Sequence, residues 1–195
     1  TFLSLKPMVG VILNIDIDHL DFFKNVDGIV NSFAEFSRNI KEGGVLVANG
    51  DNEYIRGIIE ESPNAVTFGM GENCNYVGRD ITVGENGMPD FEILIDGTSF
   101  GRINLNIPGE HNIYDAVAAF ATCHQVGISP EVIIDALNGF HGAKRRFDIV
   151  GKTGKGAVLV DDYAHHPTAI KVTLSAAQGV PHNRIWCVCQ PLTYA

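Results

Sequence analysis

Short apolar runs rich in β-branched residues alternate with helix-like stripes along most of this chain, and this alternation strongly limits the fold. Residues 8–13, 45–48 and 157–160 are continuous apolar runs that are too short for helices. Such runs are typical of strands buried on both faces of a parallel sheet. Apolar residues at helical spacing, from Ile29 to Ile40, predict a helix that covers the sheet. We therefore expect an α/β protein with a mainly parallel sheet.

The pattern changes to strict alternation in the middle of the chain. Three alternating runs are separated by turn signals at Asn86-Gly87 and Asp96-Gly97: residues 76–83, 91–95 and 102–107. Alternation broken by such dipeptides predicts a small antiparallel meander. Further on, residues 147–150 and 157–160 are expected to pair as a hairpin, and residues 184–190 are predicted to form a last strand.

Composition excludes two broad classes of protein. With 23 acidic and 14 basic residues, the formal charge is −9, which argues against a general nucleic-acid binder. No apolar run approaches the roughly 20 residues of a membrane span, so no membrane insertion is expected. The sequence has no secretory signal pattern, and we expect a cytoplasmic protein. Because it does not start with Met, we also expect a piece of a longer chain.

A cluster of polar side chains follows the apolar run at residues 157–160. Residues 161–167, with the sequence DDYAHHP, place two carboxylates, a phenol and two imidazoles before a predicted helix that starts at Pro167. In open α/β sheets, ligands bind where a strand's carboxyl end meets a helix's amino end. The alternative is an ordinary strand-to-helix loop with an Asx turn and a capping histidine.

A second polar cluster follows the first predicted strand. Residues 14–21, with the sequence NIDIDHLD, contain three carboxylates and one imidazole. Hard oxygen ligands with one imidazole suit Mg²⁺ or Mn²⁺ better than zinc. The alternative is an acidic loop in which His19 caps a helix or a turn.

Three consecutive cations, Lys144, Arg145 and Arg146, stand out in an acidic chain. The planar guanidinium of Arg matches phosphate oxygens two at a time, so these residues are candidates for a phosphate ligand. A solvated basic loop is the alternative.

Taken in order, these segments resemble those of the Mur ligases. The resemblance is carried by five motifs: residues 14–21 (NIDIDHLD), 109–112 (GEHN), 140–147 (FHGAKRRF), 161–167 (DDYAHHP) and 190–194 (QPLTY). It implies a central ATP-binding domain followed by a Rossmann-like C-terminal domain. Residues 1–143 would be the later part of the central domain, and residues 144–195 would be the beginning of the C-terminal, amino-acid-binding domain.

The activity that the resemblance implies is amide ligation in peptidoglycan biosynthesis. ATP and Mg²⁺ would serve to activate the carboxylate of UDP-N-acetylmuramate as an acyl phosphate, which the amine of L-alanine then attacks. The loop at Gly151-Lys152-Thr153 lacks the G-x-x-x-x-G-K-[ST] spacing of a phosphate loop. The family's phosphate loop is expected upstream of these residues, so the segment alone is predicted to be inactive. Bare apolar faces would favour self-association. The alternatives are a muropeptide-recycling ligase that joins a tripeptide, a nucleotide-binding module without chemistry, and a metal-binding or hydrolytic domain that uses Asp162, His165 and His166.

The resemblance also implies roles for residues on the nucleotide side. His111 and Asn112 would lie near adenine and ribose, together with Asp115, which stands where the family usually has Asn. Arg146 would reach across the domain joint to the ATP phosphates. Asp162 would help to hold the nucleotide and close the domains.

On the reacting side, the resemblance implies three further residues. His19 would be a Mg²⁺ ligand. Tyr163 and His165 would face the reacting carboxylate and the incoming amine, so with Arg146 they are the candidate catalytic residues. The family's motif near residue 190 has His where this chain has Leu192, so the substrate contacts expected there lack support.

Overall fold

The computed structural model describes residues 2–17 and 20–190, which form a large sheet with its helices and a smaller hairpin with one helix. The large-sheet unit contains a 3-10 helix (Phe2–Ser4), β1 (Val9–Ile12), α1 (Leu20–Phe23), α2 (Val26–Arg38), β2 (Val45–Asn49), α3 (Arg56–Glu60), β3 (Ala65–Gly69), β4 (Tyr76–Val83), β5 (Pro89–Ile95), β6 (Thr98–Asn104), α4 (Glu110–Gln125) and α5 (Pro130–Asn138). The hairpin unit contains β7 (Asp148–Lys152), β8 (Val158–Asp161) and α6 (Pro167–Gly179).

The six strands of the large sheet lie in the order β1-β2-β3-β4-β5-β6. Strands β1 to β4 pair in parallel, whereas β4, β5 and β6 pair antiparallel. The predicted mainly parallel sheet and its antiparallel meander are therefore both confirmed. The meander extends the same sheet, because β4 pairs with β3 through Phe68 and Tyr76.

Helices cover both faces of this sheet, and β2 shows how. Val47 belongs to a buried cluster with α4, whereas Leu46 and Ala48 belong to a second cluster with α2 and α3. Successive side chains of a strand point to opposite faces, so a continuous apolar run can fill two cores at once. That explains why residues 45–48 read as one uninterrupted apolar run.

Local signals in the sequence set the ends of α4. At its C-terminus, Gly127 has φ +87° and its N–H donates to the carbonyl of His124 at 2.9 Å. The N–H of Ile128 donates to the carbonyl of Cys123 at 3.2 Å. These two bonds form a Schellman motif, in which a glycine adopts the left-handed conformation that other residues avoid. Gly127 therefore ends the helix just after Gln125.

The hairpin unit differs from the prediction in two respects. Strand β8 was expected to be buried, but every residue of β7 and β8 keeps part of its surface accessible, and Leu159 is 48% exposed. In the described chain β8 pairs only with β7, so its faces lack covering layers. Residues 184–190 were predicted to be a strand; they form no strand, and Trp186 is 78% exposed. An extended run needs a neighbouring strand, and in the described chain none pairs with it.

Candidate functional site

A cleft of about 1340 Å³ lies between the large-sheet unit and the hairpin unit. Both units contribute polar side chains to its lining: Asn14, Asp16, Asn52, His111, Asn112 and Asp115 from the first, and Arg146, Asp162, His166, Thr168 and Thr173 from the second. Five residues proposed from the sequence are therefore brought together here. They are the nucleotide-side set His111, Asn112, Asp115, Arg146 and Asp162.

The first two turns of α4 present three of these side chains, His111, Asn112 and Asp115. The side-chain amide of Asn112 donates to the carbonyl of Pro108 at 2.7 Å and lies 3.2 Å from Nε2 of His111. If that amide also donates to Nε2, the proton of a neutral His111 sits on Nδ1. Nδ1 is buried and has no hydrogen-bond partner among the described residues. A buried polar atom without a partner is unusual and marks a position where a ligand atom could bind.

The surroundings of His111 and Asp115 shift the pKa values of both side chains. Burial lowers the pKa of His111, while the nearby carboxylates of Asp115 and Asp162 act in the opposite direction. Burial raises the pKa of Asp115, against the effects of His111 and Arg146. Asp115 still has part of its surface open to the cleft, so solvent screens this carboxylate more than a fully buried one. The cleft therefore favours a neutral imidazole beside a carboxylate and an arginine.

The three consecutive cations have different surroundings. The guanidinium of Arg145 lies 4.5 Å from the ring centre of Tyr163 and 3.7 Å from the carboxylate of Asp161. Arg146 lines the cleft and makes no hydrogen bond or ion pair through its side chain with any described residue. Its neighbours Arg145 and Phe147 have φ of 61° and 48°, a strained conformation for residues with side chains. Arg146 and Arg145 thus differ in their surroundings, and Arg146 is a candidate to bind an anion in the cleft.

Asp162 ties the hairpin unit together. Its Oδ2 accepts hydrogen bonds from the N–H of Phe147 at 2.9 Å and from the hydroxyl of Thr173 at 3.3 Å. Its Oδ1 accepts from the N–H of Ala164 at 2.7 Å, which is the Asx turn that the alternative interpretation expected. The strand-to-helix loop is therefore a conventional one, and it also lines the cleft.

Two of the candidate catalytic residues do not line the cleft. Tyr163 is stacked against Arg145, and its ring centre lies 5.2 Å from that of His165. Nδ1 of His165 donates to the carbonyl of Tyr163 at 2.9 Å. Both side chains are exposed, and the ring of Tyr163 contacts both Arg145 and the ring of His165. Their predicted roles at the reacting carboxylate and amine remain predictions.

The ordinary-loop interpretation expected a capping histidine without choosing between His165 and His166, and His166 is that residue. It caps α6, because its Nδ1 accepts from the N–H of Thr168 at 3.3 Å. Its Nε2 then carries the proton and donates to the carbonyl of Ile17, 3.0 Å away in the large-sheet unit. Hydrogen bonds from Thr168 and from the N–H of Ile17 lower the pKa of Asp16. The position directly before a helix-starting proline was the signal that could have identified this cap.

The predicted Mg²⁺ ligand, His19, lies outside the described residues. Asn14 and Asp16 offer oxygen donors of the kind that Mg²⁺ prefers, and both line the cleft. No group of three His, Cys, Asp or Glu side chains suited to an ion is found in the part of the chain that the structure describes. A zinc site on Asp162, His165 and His166 gains no support, because both ring nitrogens of His166 are already engaged.

A further carboxylate, Asp51, was also missed. It accepts hydrogen bonds from the N–H groups of Met70 and Gly71, at 2.7 and 3.1 Å, and from the hydroxyl of Tyr114 at 3.1 Å. Burial and this carboxylate raise the pKa of Tyr114 to about 12 and that of Cys74 to about 11. Asp51 thus connects the end of β2 to the loop after β3 and to α4. Its surroundings indicate a structural brace beside the cleft.

Comparison with known proteins identifies two matching domains. The Mur ligase middle domain matches residues 2–123, and the domain described as "Mur ligase, glutamate ligase domain" matches residues 145–194. A curated relative from Alkaliphilus metalliredigens, named UDP-N-acetylmuramate–L-alanine ligase, is 41% identical over the whole chain, which spans only 42% of that relative.

Solved structures give the same result for the fold. MurF from Acinetobacter baumannii has a TM-score of 0.81 at 27% identity, and covers 92% of this chain and 39% of its own. The UDP-N-acetylmuramate-alanine ligase MurC from Thermotoga maritima has a TM-score of 0.76 at 26% identity, and covers 91% of this chain and 40% of its own. None of the helices in the described residues is long and apolar enough to cross a membrane.

Proposed function

This chain belongs to the Mur ligase family, and we propose that it forms part of a ligase that joins L-alanine to UDP-N-acetylmuramate with the consumption of ATP. Mur ligases are ATP-dependent enzymes of peptidoglycan biosynthesis. The choice of substrates follows the printed name of relatives that are 41% and 44% identical over the whole chain. Residues 1–143 and 144–195 are proposed to belong to the central and C-terminal domains.

The observation that carries the proposal is the composition of the cleft. Its large-sheet side offers an imidazole and an amide, His111 and Asn112, which can bind a base or a ribose through hydrogen bonds. Its other side offers the guanidinium of Arg146, which has no ion-pair partner among the described residues and can bind phosphate. A nucleotide needs both kinds of group at opposite ends, so a site shared between the two units suits ATP.

Arg146 has a further role that follows from electrostatics. Ligation requires a carboxylate and a phosphate to approach, and two like charges repel strongly where water is excluded. An arginine that has no partner in the described protein loses little when it binds an anion. Because Arg146 belongs to the hairpin unit and His111 to the large-sheet unit, a nucleotide bound to both would couple the chemistry to the arrangement of the units.

Mg²⁺ is proposed as the cofactor, with His19 as a ligand and with Asp16 and Asn14 as nearby oxygen donors. When bound, it would offset phosphate charge that Arg146 alone does not balance. Asp162 is proposed to act mainly through position, because its oxygens already accept bonds from Phe147, Ala164 and Thr173.

The test uses a full-length ligase that carries this sequence. Arg146→Gln is expected to lower kcat/KM for ligation of L-alanine by about 100-fold or more, because it removes a charge that acts in the transition state. Lys144→Gln is the matched control, since it removes an equal charge two residues away, outside the cleft lining. Ligation and phosphate release would be measured together.

Three outcomes would contradict the proposal. Equal losses in the two variants would show that Arg146 acts only through net charge. Faster ligation of a tripeptide than of L-alanine would assign the recycling reaction instead. Ligation by residues 1–195 alone would contradict the expectation that this segment is inactive without the family's phosphate loop.

A further inference from the structure

Helix α6 contacts the large-sheet unit at both ends and in the middle. At its amino end, His166 donates to the carbonyl of Ile17 at 3.0 Å. In its middle, Ala176 is only 5% exposed, and its Cβ lies 3.1 Å from where a side chain on Gly109 would begin. At its carboxyl end, the backbone of Gly179 packs against Gly87. These contacts of α6 help to hold the hairpin unit against the sheet.

The contact at Gly87 leaves no room for a side chain. A Cβ atom at this position would lie 2.6 Å from the carbonyl oxygen of Gly179 and 3.0 Å from Cα of Val180. Both neighbours are backbone atoms, so neither can move aside without shifting α6. Gly87 also has φ +81° in the turn between β4 and β5, a conformation that glycine adopts readily. Turn geometry and close approach therefore both require glycine here.

The turn itself is well held. The N–H of Gly87 donates to the carbonyl of Gly84 at 2.9 Å, and the N–H of Gly84 donates to the carbonyl of Met88 at 3.0 Å. The side chain of Asn86 accepts from the N–H of Met88 at 3.1 Å. A turn braced in this way forms a fixed surface at the end of the meander.

We propose that the β4–β5 turn is a seat for α6, and that Gly87 is a positioning residue that sets how closely the hairpin unit approaches the large sheet. His166 and Ile17 fix the opposite end of the helix. Since Thr173 on α6 binds Asp162, which in turn binds the backbone beside Arg146, the seat also determines where Arg146 stands relative to Asp115. The consequence for nucleotide binding rests on the proposed function; the seating itself does not.

The chain provides a closely matched control for this inference. Gly97 lies in the neighbouring turn between β5 and β6 with φ +80°, and no described atom lies within 4 Å of where its Cβ would be. Gly87→Ala and Gly97→Ala therefore impose similar backbone strain in two turns of one meander. Only Gly87→Ala also places a methyl group against α6. A difference between the two variants would therefore arise from the contact with α6, because the backbone strain is similar in both.

The experiment measures ¹⁵N relaxation of residues 1–195 to find whether α4 and α6 tumble as one body. In the unchanged chain and in Gly97→Ala, amides of both helices are expected to share one correlation time. In Gly87→Ala, the amides of α6 are expected to have a distinctly shorter correlation time than those of α4. Common tumbling in Gly87→Ala, or equal uncoupling in both variants, would overturn the proposal.

A second pair tests the neighbouring contact of α6 with the large-sheet unit at Gly109, which matters if strain in the meander prevents folding. Ala176→Leu enlarges a buried residue of α6, whereas Ser175→Leu adds the same side chain at an exposed neighbour. Ala176→Leu alone is expected to uncouple α6 from α4, and coupled tumbling in that variant would contradict the close packing of α6 on the large-sheet unit that the seat requires. No nucleotide is present in these measurements, so their failure would leave the ligase proposal standing.

Discussion

The large-sheet unit and the hairpin unit contain similar apolar strands but bury them very differently. In β5, Phe91 is fully buried between the sheet and α4, whereas Leu159 in β8 is 48% exposed. The residue types differ little, so the difference arises from the layers that cover each strand. A β-branched run therefore identifies a strand, and burial depends on what packs against it.

The largest effect is expected from truncating one side chain in each unit. Phe91→Ala should lower the free energy of unfolding by about 3–5 kcal/mol, because it leaves a cavity in a closed core. Leu159→Ala should cost under about 1 kcal/mol, since much of that side chain is already in water. Urea denaturation followed by circular dichroism would measure both, and similar losses would mean that β8 is covered in solution. Self-association, which the exposed faces favour, would be one way to cover it.

A smaller effect is expected within the hairpin unit, at two adjacent carboxylates. Asp162→Ala should destabilise the unit by about 1–3 kcal/mol, because it leaves donors of Phe147 and Ala164 without their acceptor. Asp161→Ala should cost under about 1 kcal/mol, because its 3.7 Å contact with Arg145 is exposed. Hydrogen exchange at the amides of Phe147 and Ala164 would distinguish the two variants, because only Asp162→Ala should speed exchange there. Equal exchange in the two variants would refute the bracing role of Asp162.

The smallest effect concerns pH and the large-sheet side of the cleft. Burial lowers the pKa of His111 below the 6.5 of an unburied histidine, so the unfolded chain binds more protons below that pH. The contribution of His111 to the free energy of unfolding should therefore be fully present above pH 6.5. It should be lost as the pH falls toward the lowered pKa of the folded state. His111→Gln should flatten this decline in thermal unfolding measured from about pH 8 to about pH 5.

The control for the pH experiment is the exposed His141, which lies outside the cleft lining. His141→Gln should leave the slope between the two pH values unchanged. If His111→Gln and the unchanged chain lose stability in parallel, burial of the imidazole is not the cause.

The sequence predicted where the polar clusters begin, because strand ends and helix starts follow from local patterns. Asp162 and Pro167 were correctly assigned to a strand-to-helix loop, and the helix α6 does begin at Pro167. The two adjacent histidines could not be told apart, because an irregular loop has no period to orient its side chains. His166 lines the cleft, whereas His165 does not.

Local chemistry in the sequence determined the elements, the meander and the family, since caps, turns and apolar periods act over a few residues. Tertiary structure alone decided that β8 is open, that Arg146 is without a partner in the described chain while Arg145 is engaged, and that α6 rests on Gly87. Gly87 and Gly179 are far apart in sequence, and neither has a side chain whose type would reveal the contact. Their approach depends on how two units pack, and packing is set by shape and distance between remote segments.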